Sequence, residues 1–475
     1  MGLKPVGLWT EGDWIAAIGF GLLIVFLAIG GKIAVQREPE FAGHPKGLYM
    51  LFFAEMWERF SYYGMRALLV LYMVKYLFTP QGSGDVLGLT PFKHGLEFVF
   101  GPLAPQPLAS QIYGFYTGLV YLTPILGGLL ADRVLGQRRT VIIGATLMAI
   151  GHFMMAFEHL FLVALCFLIL GNGAFKPNIS TQVGSLYPPG DRRRDRAFSI
   201  FYVGINLGAF LAPLVCGTLG EKLGWHYGFA AAGVGMTIGL IIYLAATPHL
   251  PRDAFEKRAV SDAKLDAKAW QSIAALLLLF APVSLFWATY EQQGNTIALW
   301  ADQFTDRHFL GGEIPVTWFQ AFNPFMIFAF TPFIVALWRW QGKNEPATST
   351  KLGMGCLINA LAYLVMVAAA WSADGDKASW LWLFFYFVVI TVGELYLSPT
   401  GLSLVTKIAP KTLLSMMMGV WLATSFVGGF LAGYLGTFWS SMDKANFFLM
   451  LALISSVAGV AIMLLRRPLR AVLQD

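Results

Sequence analysis

Charge is scarce in this chain. Only 13% of its 475 residues are Asp, Glu, Lys or Arg, about half the share usual in soluble proteins. Such a chain cannot clothe a water-facing surface, whereas its 57% of apolar residues suits a protein embedded in lipid. Cysteine is scarce too: Cys166, Cys216 and Cys356 stand singly in apolar stretches, which excludes a disulfide framework and a cysteine zinc site. Zinc-ligand spacing, a nucleotide-binding glycine loop and a nucleophile with a nearby base are all lacking. Neither a metal nor an organic cofactor is therefore expected, and an intramembrane enzyme has no support.

What is present is a succession of apolar spans. They are predicted near 14–35, 47–78, 108–131, 139–157, 160–185, 197–218 and 226–246, and, beyond a charged stretch, near 270–300, 316–340, 352–372, 380–405, 412–438 and 444–466. The expected fold is an all-α polytopic membrane protein of six plus six spans with one additional N-terminal helix. Its divisions are an accessory segment over 1–46, a bundle over 47–246, a linker over 247–269 and a second bundle over 270–475. Arg133, Arg138 and Arg139, the run Arg192 to Arg196, the basic linker, Arg339 with Lys343, Lys407 with Lys411, and Arg466 with Arg467 all fall in alternate loops. Those faces are cytoplasmic by the positive-inside rule. The formal charge of +6 is thus topological, and nucleic acid is not an expected partner. Glu11 and Asp13 precede the first span while Lys32 and Arg37 follow it, the reverse of a cleavable signal's basic start. That span is expected to be retained, N-terminus outside. The proline-rich connection over 79–107 reads as an external loop with a short amphipathic helix around Phe92 to Phe100.

The few charges inside spans are costly there, so each is a functional-site candidate. Glu55, Glu58, Arg59, Tyr62, Tyr63 and Arg66 recur at helical period and share one face about 16 Å long. Lys176 lies mid-span beside Pro177, and Glu291 and Glu394 are lone carboxylates in the second half. Asn206 falls within a Gly204–Gly208 pair suited to helix packing, and Trp421 and Ser425 stand one turn apart. Glu55, Glu58, Arg59, Arg66 and Lys176 sum to +1, while Glu291 and Glu394 sum to −2. Opposite charge in the two halves favours their closure, and protonation or a charged ligand can release it, which suits alternating access.

Four strings resemble the proton-coupled oligopeptide transporter family of the major facilitator superfamily. They are the Glu55-x-x-Glu58-Arg59-Phe60-x-Tyr62-Tyr63-Gly64 string, the Gly171-Asn172-Gly173-x-Phe175-Lys176-Pro177 string, the Phe201-Tyr202-x-x-Ile205-Asn206-x-Gly208 string, and the loop through Asp132, Arg133, Gly136, Arg138 and Arg139. The resemblance implies a major facilitator fold with a central site. It implies a symporter importing di- and tripeptides, with the proton as coupling ion and no cofactor. Arg66 and Lys176 match positions that hold the substrate carboxylate, and Glu394, Asn206 and Asn323 those near its amino group. Tyr62, Tyr63, Tyr121, Trp287, Trp421 and Ser425 match pocket-lining positions. Proton coupling is expected at Glu291 and the Glu55, Glu58 and Arg59 cluster. Gating is expected from the crossing pairs Arg66 with Glu291 and Lys176 with Glu394, and from the Asp132 and Arg133 loop. A monomer among lipids of a bacterial inner membrane is expected. The alternative is a related carrier of another small zwitterion or anion, such as nitrate. The chain departs from the pattern in three places: the linker is too short for the two extra helices of many bacterial members, the first helix is an addition, and Gly114 stands where eukaryotic members carry a histidine.

Overall fold

The computed structural model describes residues 21, 24, 25 and 28, and 40–473 apart from 81, 83–85, 189–190, 252, 254–266, 374–375 and 411–412. Most of the first predicted span and most of the linker lie outside the described residues. Of the former, Gly21, Ile24, Val25 and Ala28 are helical and exposed.

The rest is helical: α1 (Lys46–Tyr72), α2 (Leu89–Phe100), α3 (Pro105–Leu130), α4 (Gln137–Met154), α5 (Phe161–Ser185), α6 (Arg193–Ala212), α7 (Thr218–Lys222), α8 (Trp225–Ala246), α9 (Ala267–Tyr290), α10 (Thr296–Gln303), α11 (Phe322–Gln341), α12 (Thr348–Ala373), α13 (Trp380–Ile408), α14 (Leu414–Gly436) and α15 (Lys444–Leu473). Among the described residues ten helical segments are long and apolar enough to cross a membrane. The spans expected near 47–78 and 139–157 are not among them: Glu55, Glu58, Arg59 and Arg66 break the apolar run of α1, and α4 is only 18 residues long and opens on Gln137, Arg138 and Arg139. Prolines sit inside α3, α5, α9, α11 and α13; in lipid such breaks persist where neighbouring groups satisfy the freed carbonyls. Helix α2 forms between Gly88 and Gly101, both at positive φ, where glycine carries no steric cost.

The helices fall into two compact units. One comprises 1–105, 123–256 and 306–325, the other 106–122, 257–305 and 326–475. Helix α3 therefore changes unit along its length, and the change falls beside its internal Pro124.

In the first unit small residues bring backbones together. A Cβ on Gly204 of α6 would stand 2.9 Å from the Phe52 ring, and one on Gly208 would stand 3.0 Å from Arg59 Cβ. The Gly204–Gly208 pair thus packs α6 on α1, as such pairs do in bilayers. Gly144 and Gly171 do the same for α4 and α5, where a Cβ would meet the opposing carbonyl at 2.6 to 2.7 Å. Ahead of α1, strands β1 (Glu40–Phe41) and β2 (His44–Pro45) form a hairpin. It is tied to the turn before α6: His44 Nδ1 meets the Tyr187 hydroxyl at 2.7 Å, and Arg193 reaches Glu40 at 3.4 Å and Asp191 at 2.9 Å. The Arg193 bonds hold the Asp191 carboxyl below its ordinary range. Residues 40–45 are thereby built onto the bundle that follows them.

Glu221, at the end of α7, closes the other end of this unit. Its carboxylate accepts from the backbone N–H of Val316 at 2.9 Å, the N–H of Thr317 at 2.8 Å and the Thr317 hydroxyl at 2.7 Å. These are orphan donors at the start of the short 3-10 helix Val316–Ala321, which a carboxylate suits. Trp318 Nε1 adds a bond to Thr218 Oγ1 at 2.8 Å.

In the second unit α9 packs on α14 and α15, and α12 on α13 and α15. Thr289, Asn359 and Ser455 close a buried triangle, with bonds of 2.8, 2.8 and 3.1 Å. The 106–122 part of α3 lies directly on α14. A Cβ on Gly114 would stand 2.5 Å from Gly433 Cα, and one on Gly429 would stand 2.7 Å from the Gly118 nitrogen.

Two outcomes follow from this packing. Glu221→Ala leaves three donors unmet and should lower stability by about 2 kcal/mol, read as a fall in the thermal midpoint of purified protein; an unchanged midpoint contradicts the capping role. A chain lacking residues 1–38 keeps the hairpin and should insert and bind ligand like the full chain, checked by membrane yield and calorimetry.

Candidate functional site

Helix α1 brings the first cluster together because residues three and four apart share a face. Arg59 is only 3% exposed. Its Nε lies 3.3 Å from Glu55 Oε1, it bonds Glu58 Oε2 closely, and its Nη2 donates to Glu58 Oε1 at 2.7 Å. Asn172 of α5 donates from Nδ2 to the same Glu58 oxygen at 3.0 Å. Glu58 is thus held by an arginine and an amide, while Glu55 Oε2 is buried without a donor among the described residues. Lys176 of α5, half-buried, is near enough to interact electrostatically with Glu55. Two carboxylates and two cations therefore balance inside the unit, which a buried cluster requires.

Further along the face, the Arg59 guanidinium lies 5.2 Å from the Tyr62 ring centre and that of Arg66 lies 5.8 Å from Tyr63. These are cation–π distances. The Tyr62 and Tyr63 rings meet edge to face at 5.1 Å. Asn206 is buried on α6 and donates to the Tyr202 carbonyl at 3.0 Å. Asn323 is half-buried at the start of α11. Asp132 and Arg133 are exposed in the turn Ala131–Leu135. The anchor beside that turn is Arg138, which donates from Nε to the Pro251 carbonyl at 2.9 Å and also bonds the Leu250 carbonyl, while its backbone N–H meets Asp253 at 3.2 Å.

The second unit holds Tyr121, Trp287, Glu291, Glu394, Trp421 and Ser425. Helix α9 ends at Tyr290 and continues as a tighter turn over Glu291–Gly294. Glu291 is buried, and the Tyr113 hydroxyl lies 3.3 Å from its Oε2 and 3.2 Å from its backbone carbonyl. One residue earlier, Tyr290 donates to Glu394 Oε2 at 2.6 Å. Trp287 lies edge-on to Tyr290 at 5.4 Å, and its indole Nε1 is buried with no acceptor among the described residues. Trp421 and Ser425 are buried on α14, and the Trp421 ring lies against Gly401. Tyr121 is half-buried on α3.

Three partners escaped the sequence reading: Asn172 at Glu58, Tyr113 at Glu291 and Tyr290 at Glu394. Asn172 and Tyr290 lie inside or beside the motifs already singled out, so position along the chain was a usable signal for them. Tyr113 comes from a remote helix and left none.

Long apolar helices, with ionisable groups withdrawn into each unit and paired there, define a polytopic membrane carrier. The profile of the POT family matches residues 138–263 and 254–451. A di-/tripeptide transporter of Lactococcus lactis subsp. cremoris is 32% identical, covering 93% of this chain and 99% of its own. The peptide transporter YePEPT of Yersinia enterocolitica is 34% identical over 83% of this chain and 88% of its own. A crystal structure of a mutant peptide transporter POT in complex with alafosfalin superposes with a TM-score of 0.80 at 32% identity, covering 92% of this chain and 98% of that one. The chain belongs to the POT family: it is a multi-pass transporter of the major facilitator fold, not an enzyme.

Arg59→Met should cost about 3 to 5 kcal/mol, the cost of stranding buried charge, and appear as poor membrane yield. Arg59→Met combined with Glu58→Gln should recover part of it. Equal yields for wild type and Arg59→Met contradict the clamp.

Proposed function

We propose that the protein is a proton-coupled symporter that imports di- and tripeptides across a bacterial inner membrane by alternating access, acting as a monomer without a cofactor. The observation that carries the reading is the division of intramembrane charge. Glu55, Glu58, Arg59, Arg66 and Lys176 belong to one compact unit and Glu291 and Glu394 to the other. A short peptide is a zwitterion of fixed ends and variable side chains. A site for it clamps the ends with charge and surrounds the rest with aromatic walls. Arg66 and Lys176 would take the carboxylate, and Glu394, Asn206 and Asn323 the amine. Tyr62, Tyr63, Tyr121, Trp287, Trp421 and Ser425 would line the space. In support, relatives about a third identical over most of this chain are named as peptide transporters.

A proton drives such a cycle if it neutralises a carboxylate that otherwise ties up a cation. Protonation of Glu291 would free Arg66 for the substrate, and protonation of Glu394 would release Lys176. Glu55 Oε2, a buried oxygen lacking a donor among the described residues, is a place where a second proton could reside. Glu55 and Glu58 share Arg59 and would titrate as a pair. The Asp132 and Arg133 turn would act in gating. A second reading, a carrier of another small zwitterion or anion, is favoured by a POT family structure 30% identical in complex with 5-aminolevulinic acid.

Uptake of labelled di-alanine into proteoliposomes, with and without an inward proton gradient, tests the proposal. Wild type should concentrate the dipeptide only with the gradient. Arg66→Ala and Lys176→Ala should each reduce uptake more than tenfold at equal insertion. Glu291→Gln should lose accumulation yet retain exchange. Counterflow with 5-aminolevulinic acid or nitrate, and none with di-alanine, establishes the second reading instead.

A further inference from the structure

Tyr290 is not among the residues to which the family resemblance gives a role, yet its placement is specific. Its hydroxyl donates to Glu394 Oε2 at 2.6 Å, the length of a strong bond to an ionised oxygen. The ring is fixed on two sides. Phe286 stacks on it with centres 5.6 Å apart and planes 19° apart, and Trp287 meets it edge-on at 5.4 Å. Its carbonyl accepts from Gln293 Nε2 at 3.2 Å, at the step where α9 gives way to the tighter turn. Tyr290 is 7% exposed while Glu394 is half-buried. A rigid, buried phenol thus holds a carboxylate that retains access to a ligand.

The hydroxyl does little for packing, since the neighbouring rings hold the aromatic face. What it sets is the direction of the Glu394 carboxylate. A carboxylate held in place can meet an ammonium group without first losing rotamer freedom, and that preorganisation appears as affinity. We propose that Tyr290 is a positioning residue that holds Glu394 in the orientation selecting a free α-amino group over a blocked one. The inference rests on the peptide-carrier reading above, and adds to it the residue that sets discrimination at the amine end.

Tyr290→Phe keeps the ring and removes only the O–H, so the stacking on Phe286 and the edge-on contact with Trp287 survive. Binding of di-alanine and of N-acetyl-di-alanine to purified protein is measured by calorimetry. Tyr290→Phe should weaken di-alanine about tenfold, the effect of one hydrogen bond to a charged group, and leave the acetylated ligand within about twofold. In a Glu394→Gln background the same change should alter di-alanine binding less than about twofold. Equal weakening of both ligands, or di-alanine affinity within about twofold of wild type, overturns the positioning role. A wild-type protein that binds no di-alanine overturns the peptide-carrier reading itself, and this inference with it.

Discussion

The interaction on which the first unit turns is the clamp of Arg59 between Glu55 and Glu58. A buried guanidinium is tolerated only where carboxylates and hydrogen bonds replace its water. Every neighbouring feature serves that need. A Cβ on Gly208 would stand 3.0 Å from Arg59 Cβ, so the glycine lets α6 lie against the clamp, and Asn172 brings an amide to Glu58 from α5. The cluster therefore joins three helices through charge and close backbone contact together. A helix so fixed can present Tyr62, Tyr63 and Arg66 farther along the same face at a constant spacing.

The second unit meets the same constraint with phenols. Tyr113 and Tyr290 donate to Glu291 and Glu394, so each carboxylate is oriented by a neutral donor from its own unit. Both donors are neutral hydroxyls, so each orients its carboxylate without itself carrying a charge. In the first unit, by contrast, Glu58 is occupied by its neighbour Arg59.

Close packing also explains a departure from the family pattern. Gly114 stands where eukaryotic members carry a histidine, and a Cβ there would fall 2.5 Å from Gly433 Cα. No side chain fits without parting α3 from α14. The glycine lets the 106–122 part of α3 lie in direct contact with α14. At Pro124 the same helix passes to the other unit, where Thr123 Oγ1 donates to the Ile169 carbonyl at 3.0 Å. One helix thus serves both units, with its hydrogen-bond ladder interrupted beside the change.

By itself the sequence determined the helical membrane class, the course of ten apolar spans beyond residue 100 and the crowding of charge on one face of α1. Those follow from composition and from periodicity, which are local properties of a chain in lipid. It also showed which titratable residues lie in spans, because a charge in an apolar run is conspicuous. Only the tertiary structure decided their partners. That Asn172 serves Glu58, that Tyr113 reaches Glu291 from 178 residues away, and that Arg138 anchors the loop while Asp132 and Arg133 stay exposed are matters of helix rotation and packing. Rotation about a helix axis changes no local pattern yet exchanges every neighbour, and for that reason the pairing within this site could not be read along the chain.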